Sequence, residues 1–91
     1  MAGKVIDNTA KNRFELEVEG HTAFITYRRD GKTVDMLHTE VPKELGGKGV
    51  GGTLAQGALD MVQASGDKVK PSCPFIAKYI DKNQQYKALL A

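Results

Sequence analysis

The sequence predicts an α/β (α+β) domain, with an antiparallel meander first and a β-α-β-α run after it. Three observations carry this. Apolar and acidic residues alternate from Phe14 to Glu19, and Asp30-Gly31 signals a hairpin ahead of another strand-like stretch. A glycine cluster from Gly46 to Gly52 then runs into a segment with helical spacing.

Each element follows from a local pattern. The first dozen residues are polar and read as loose at the extreme end. Phe14, Leu16 and Val18 alternate with Glu15, Glu17 and Glu19, which is the period of a strand with one wet face. Gly20-His21 reads as a turn. Ala23, Ile25 and Tyr27 continue as a second strand, with Phe24 on its other face. Asp30-Gly31 suits a tight hairpin because both residue types tolerate positive φ. Thr33 to Val41 follows as a third strand. Its apolar parity changes midway, from Val34 and Met36 to Leu37, Thr39 and Val41, which predicts a bulge near Met36–His38. Pro42 ends the ladder by removing a donor.

The second half reads as helical with one strand. From Thr53 to Ser65, Leu54, Ala55, Ala58, Leu59 and Val62 share a helix face. Gly66 is placed to end that helix. Lys68 to Ser72 reads as a short strand, and Pro74 suits the first turn of a second helix. Phe75, Ile76, Tyr79 and Ile80 form its expected buried stripe, with Leu89 and Leu90 docking a last turn. A strand–helix–strand step of this kind implies a right-handed crossover and a parallel pair.

Composition narrows the function. The 91 residues suit a single domain over 1–91, with no room for separate cofactor and substrate halves. Hydrophobic residues are 41% and charged residues 26%, an ordinary balance for a folded soluble domain. A formal net charge of +2 argues against a dedicated nucleic-acid binder. No apolar run approaches the ~20 residues of a membrane helix, and Met1 to Asn12 has no signal-peptide core. The lone Cys73 forms no intrachain disulfide, so a cytoplasmic location is expected. One cysteine and two histidines are too few for the usual structural zinc site, so no metal is expected. Oligomeric state is not encoded in any of these patterns.

The glycine cluster is the sharpest feature, with five glycines in seven positions ahead of a helix. Bare N–H groups at a helix N-terminus bind phosphate, and Lys48 adds a positive charge. The plainer reading is a loop in which glycine relieves strain. A P-loop nearly fits from Gly46 to Thr53, but Gly52 stands where its lysine belongs. A dinucleotide fingerprint can be read at Gly47, Gly49 and Gly52, but an antiparallel meander precedes it. The pyrophosphate loop of acyl-coenzyme A enzymes, Q/R-x-x-G-x-G/A, fits Gly46 to Gly51 except at its first position.

Three segments together resemble the GNAT acetyltransferase superfamily, specifically its very short members. They are His38-Thr39-Glu40-Val41-Pro42, Gly47-Lys48-Gly49-Val50-Gly51 and Pro71-Ser72-Cys73-Pro74-Phe75. Their order and spacing match over about residues 13–90. The resemblance implies acetyl-CoA or CoA bound in a cleft between two splayed parallel strands ending near Val41 and Ser72. Backbone around Leu37, Thr39 and Val41 would pair with pantetheine. The amides of Gly47, Lys48, Gly49, Val50, Gly51, Gly52 and Thr53 would hold the pyrophosphate, with Phe75 beside the cofactor. Lys78, on the second predicted helix, reads as a plain surface lysine or as one that approaches the phosphates. Two departures stand out. Gly46 replaces a common Gln or Arg, and Asn83-Gln84-Gln85-Tyr86 matches the subfamily's His-Pro-Glu-Tyr only at Tyr86. The chain also lacks the insertion and last strands with which larger members build an acceptor pocket. That side is expected to be open, shallow or completed by a partner.

Three residues are catalytic candidates. Cys73 sits at a predicted helix start, where the dipole favours thiolate. It reads as an acetyl-accepting nucleophile, as an acid for the leaving CoA thiolate, or as a small buried hydrophobe. His38 and Glu40 share a strand face. His38 is a candidate base for an ammonium acceptor, or a hydrogen-bonded strand histidine. Glu40 would hold a cationic amine, or is simply solvated. His21 and Tyr79 read as inert turn and core residues, and Arg28-Arg29 as a charged hairpin edge. The sequence thus points to an acetyl-CoA-dependent N-acetyltransferase acting on an unidentified amine. The alternative is a non-catalytic CoA or acyl-CoA module that senses cofactor or docks on a partner.

Overall fold

In the computed structural model, which describes residues 4–91, four antiparallel strands lead into a β-α-β-α run. Strands β1 (Ile6–Asn8), β2 (Arg13–Val18), β3 (His21–Asp30), β4 (Thr33–Glu40) and β5 (Lys68–Pro71) form one sheet in that order. Only the β4–β5 pair is parallel. Helix α1 (Val50–Ser65) lies between β4 and β5 in the chain, and α2 (Pro74–Lys82) follows β5. Short 3-10 turns occupy Lys43–Leu45 and Gln84–Leu89.

The alternation read in the sequence sets the faces. Phe14, Leu16, Val18, Ala23, Ile25, Tyr27, Val34, Met36 and Val69 are all buried in one core with Leu54, Leu59 and Ile76. Every one of these strand residues projects to the same side. The opposite side carries Arg13, Glu15, Glu17, Phe24, Thr26, Arg28 and Lys70, and no helix of the described residues covers it. Among those residues no helix is long and apolar enough to cross a membrane.

Several boundaries differ from expectation. The N-terminal segment expected to be loose carries β1, while residues 1–3 lie outside the described residues. Its docking depends on Val5, buried against Gly57 of α1, where any Cβ would collide with the valine. Tyr27 Oη also donates to Asp7 Oδ1 at 2.6 Å. Burial, and then that carboxylate, push the Tyr27 hydroxyl up to about 12. Both hairpins turn one residue away from the expected places. Val18 pairs with His21, so Glu19-Gly20 is the first loop, both at positive φ. Asp30 pairs with Thr33, so Gly31-Lys32 is the second, with glycine alone at positive φ.

The bulge falls where the parity change placed it. Thr26 opposes His38 and Tyr27 opposes Met36, which leaves Leu37 as the extra residue. Helix α1 begins three residues earlier than its apolar spacing suggested, so Gly51 and Gly52 belong to its first turn. It ends at Gly66 with two bonds, from Gly66 N–H to Gln63 O and from Asp67 N–H to Val62 O, closing a Schellman motif. In α2, Ile76 and Ile80 carry the buried stripe with Tyr79 packed beside them, but Phe75 is exposed. Leu89 is buried and Leu90 is exposed, its backbone bridging to Val69 instead.

Candidate active site

The sheet splits between β4 and β5. Their ladder runs from Thr33–Lys68 to Met36–Pro71 and stops. Two local causes act there. The Leu37 bulge redirects β4. Pro71 has no N–H with which to continue the ladder. A last tie, Cys73 N–H to Met36 O at 2.9 Å, closes the vertex. Beyond it, Leu37 to Glu40 pairs only with β3, so the β5-facing edge of that segment has no strand partner among the described residues.

The start of α1 lies past the open end of this cleft. Gly47 and Gly49 have φ of 76° and 71°, in the left-handed region that favours glycine. Gly49 caps α1 without a side-chain bond, and the first turn holds no acidic residue. The first turn of a helix leaves its N–H groups without intrahelical partners. Here those groups belong to Val50, Gly51 and Gly52, since Thr53 N–H already reaches Gly49 O. The Thr53 hydroxyl donates to the same carbonyl at 3.2 Å. Gly51 has a packing reason to be glycine, because a Cβ there would lie 3.0 Å from Phe75 Cζ. Gly52 has none, since the nearest atom to its Cβ would be 3.9 Å away on Tyr79. A helix start with free amides, no competing carboxylate and a glycine that internal packing does not demand is suited to a phosphate group.

Lys48 is engaged elsewhere. Its Nζ donates to both carboxylate oxygens of Glu19, at 2.8 and 2.9 Å, across to the β2–β3 hairpin. That ammonium holds the Glu19 carboxyl below its usual range. Lys78 projects into solvent from α2.

On the other arm, Cys73 is the N-cap of α2 and is buried. Its Sγ lies 3.3 Å from Thr39 Oγ1 across the cleft. Burial acts to raise the thiol. The Thr39 hydroxyl and the backbone N–H groups of Ile76, Phe75 and Thr39 outweigh it, and the thiol sits below the ordinary cysteine value. Pro74 at the first helical position removes one donor that would otherwise need a partner.

The three catalytic candidates are not gathered at one point. His38 opposes Thr26 and Glu40 opposes Phe24, so both face the bare side of the sheet, where His38 Nε2 and Glu40 Oε1 are 3.1 Å apart. Thr39 opposes Ile25 and faces the core side with Cys73. The cleft therefore carries a thiol–hydroxyl pair on one side of the sheet and a histidine–carboxylate pair on the other.

The sequence assigns the side chains of Glu19, Asp35 and Ser72 no role at the site, although each contacts this region. Glu19 is one more acidic residue in an alternating strand, and its value appears only when the hairpin meets the glycine loop. Asp35 occupies the wet parity between Val34 and Met36 yet is buried, which no local pattern announces.

Comparison with known proteins decides the family. Residues 13–89 match the GCN5-related N-acetyl-transferase family. The chain belongs to that family. Relatives include Protein NATD1 of Xenopus tropicalis, 34% identical over 83 residues, spanning 88% of this chain and 76% of that protein. Protein NATD1 of Homo sapiens is also 34% identical, over 88% of this chain and 74% of its own length. Among solved structures, a GCN5-like protein from Staphylococcus aureus superposes with a TM-score of 0.73 at 28% identity. That match covers 97% of this chain and 87% of the other. The five-stranded mixed sheet and its helices thus form a GCN5-related N-acetyltransferase-like fold.

Proposed function

We propose that this member of the family binds acetyl-CoA and transfers its acetyl group to an amine. The observation that carries this reading is the split between β4 and β5, with an open strand edge, an uncapped helix start and a lowered thiol around one cleft. The free edge from Leu37 to Val41 would pair with the amide-bearing pantetheine arm. The Val50, Gly51 and Gly52 N–H groups would take the pyrophosphate, with Phe75 against Gly51 flanking it. Acetyl-CoA supplies an activated acetyl thioester.

The chain's own groups divide the remaining work. An amine must be neutral to attack, and His38, oriented by Glu40, is the candidate to take its proton on the bare face. Cys73 and Thr39 lie on the other side of the cleft. In a relay, the Cys73 thiolate gains a bond to the acetyl carbon as the CoA sulfur leaves as thiolate and takes up a proton. The amine then displaces Cys73. In direct transfer, Cys73 donates the proton to the leaving sulfur.

A second reading has its own support. Among the described residues no element covers the bare face to form an acceptor pocket, which favours a CoA-binding module completed by a partner. Thermal-shift titration with acetyl-CoA, CoA, ATP and NAD, with intact-mass detection, separates the readings. Acetyl-CoA and CoA alone are expected to stabilise the protein. An adduct of one acetyl mass, absent in Cys73→Ala, identifies the relay. Binding without turnover over a broad amine panel identifies the module. No stabilisation by either coenzyme overturns both.

A further inference from the structure

We infer that Asp35, acting through Ser72, is a positioning residue that holds Cys73 against Thr39. Asp35 is the one charged side chain buried among the described residues. A carboxylate taken out of water needs partners to balance the loss of solvation. Its Oδ1 accepts from Ser72 Oγ at 2.6 Å, and its Oδ2 lies 3.6 Å from Arg28 Nη2 on β3. Lys70 of β5 opposes it directly in the parallel ladder.

The place of this bond gives it its consequence. Asp35 and Met36 are the last β4 residues before the bulge, and Ser72 and Cys73 are the first residues after β5. Two adjacent ties join them: the Asp35 side chain to the Ser72 hydroxyl, and Met36 O to Cys73 N–H at 2.9 Å. Two points fix the direction in which the chain leaves the sheet, whereas one would leave a pivot. That direction sets where α2 begins and where Sγ of its N-cap residue, Cys73, meets Thr39 Oγ1 at 3.3 Å. The Thr39 hydroxyl bonded to Sγ is uncharged, as are the Thr39, Phe75 and Ile76 amides that help to lower the thiol. Asp35, Arg28 and Lys70 face the bare side of the sheet, so Asp35 acts by placement rather than by its field.

The inference rests on the proposed role of Cys73 only for its effect on transfer; its effect on the thiol stands without any coenzyme. Cys73 is the only cysteine, so alkylation by iodoacetamide across pH reads that thiol alone. Ser72→Ala and Asp35→Ala are expected to move the alkylation midpoint to higher pH, toward that of a free thiol. Asp35→Asn keeps an acceptor for Ser72 and is expected to stay near the parent. The midpoint is the readout, because a looser Cys73 also reacts faster at its plateau. Ser72 is exposed, so Ser72→Ala provides a folded variant if Asp35→Ala does not fold. A parental midpoint in folded Ser72→Ala overturns the inference. An Asp35→Asn midpoint equal to that of Asp35→Ala also overturns it, by assigning the effect to charge. These outcomes do not depend on acetyl-CoA binding, so failure here and failure of the transferase reading are distinguishable.

Discussion

The two helices begin on opposite arms of one cleft, both without a side-chain cap bond, and they differ in the residue that stands at the start. Helix α2 starts at an extended, buried Cys73, and Pro74 at its first position removes one donor. Helix α1 starts at a left-handed Gly49, with no side-chain cap and two glycines in its first turn. One end places a buried thiol below the ordinary cysteine value at its start, while the other places glycines and bare amides there. A glycine in place of a capping serine or aspartate forfeits roughly a few tenths of a kcal/mol. In this fold that cost falls on the arm where the proposed phosphate site lies.

The largest test of the contrast is Gly49→Val. A β-branched residue at φ 71° is strongly disfavoured, and a loss of about 1–3 kcal/mol is expected in urea unfolding. Coenzyme stabilisation should disappear in the same variant at temperatures where it remains folded. Next is Cys73→Ala, which removes a buried sulfur and its contact with Thr39. It should cost about 1 kcal/mol, while Cys73→Ser, which keeps a partner for the Thr39 hydroxyl, should recover part of this. Equal stability of the alanine and serine variants would remove the Thr39 contact from the stabilising role of Cys73.

The same thiol gives a pH signature. Its folded value lies below the ordinary cysteine value, so the native state releases the proton first as pH rises. Stability should therefore increase with pH between the folded and ordinary values. That gain should be lost as pH falls through the folded value. The difference in melting temperature between parent and Cys73→Ser, followed across that window, reads this contribution directly.

Gly52→Ala sharpens the comparison from the other side. Alanine meets no close neighbour there and is the better helix former, so a gain of about 0.5 kcal/mol is expected. Weaker acetyl-CoA binding should accompany it, because a methyl group then stands among the open amides. A variant that gains stability and keeps its affinity would mean Gly52 is not part of the site. The smallest expected effect is in Glu19→Gln. Freeing Lys48 from its carboxylate should tighten CoA binding by about twofold at low salt, and added salt should erase the difference.

What was legible in the sequence divides along the same lines. Strand alternation, the Leu37 bulge and the apolar face of α1 were readable because each depends on neighbours within a few residues. The start of α1 was not. Gly51 and Gly52 are poor helix formers, and neither residue type marks the first turn that the buried Val50 and Leu54 place there. Phe75 itself was misplaced, because helical spacing groups it with Ile76 whereas it turns toward Gly51. At the site, Cys73 was visible as a residue type in a suggestive place. Its contact with Thr39 and the separation of His38 and Glu40 onto the other face follow from sheet register, which no short window of sequence reveals.

Gly57 links the chain's beginning to its middle. A glycine inside a helix weakens it by about 1 kcal/mol relative to alanine, and here its bare Cα makes the space that Val5 fills. Strand β1 has only a three-residue ladder of its own, so its anchorage is borrowed from α1. It can dock only once that helix lies on the sheet, which makes it a late piece to assemble and an early one to leave. Amide exchange at Ile6–Asn8 should therefore be the fastest in the sheet, and it should report opening near Gly57 before any global unfolding.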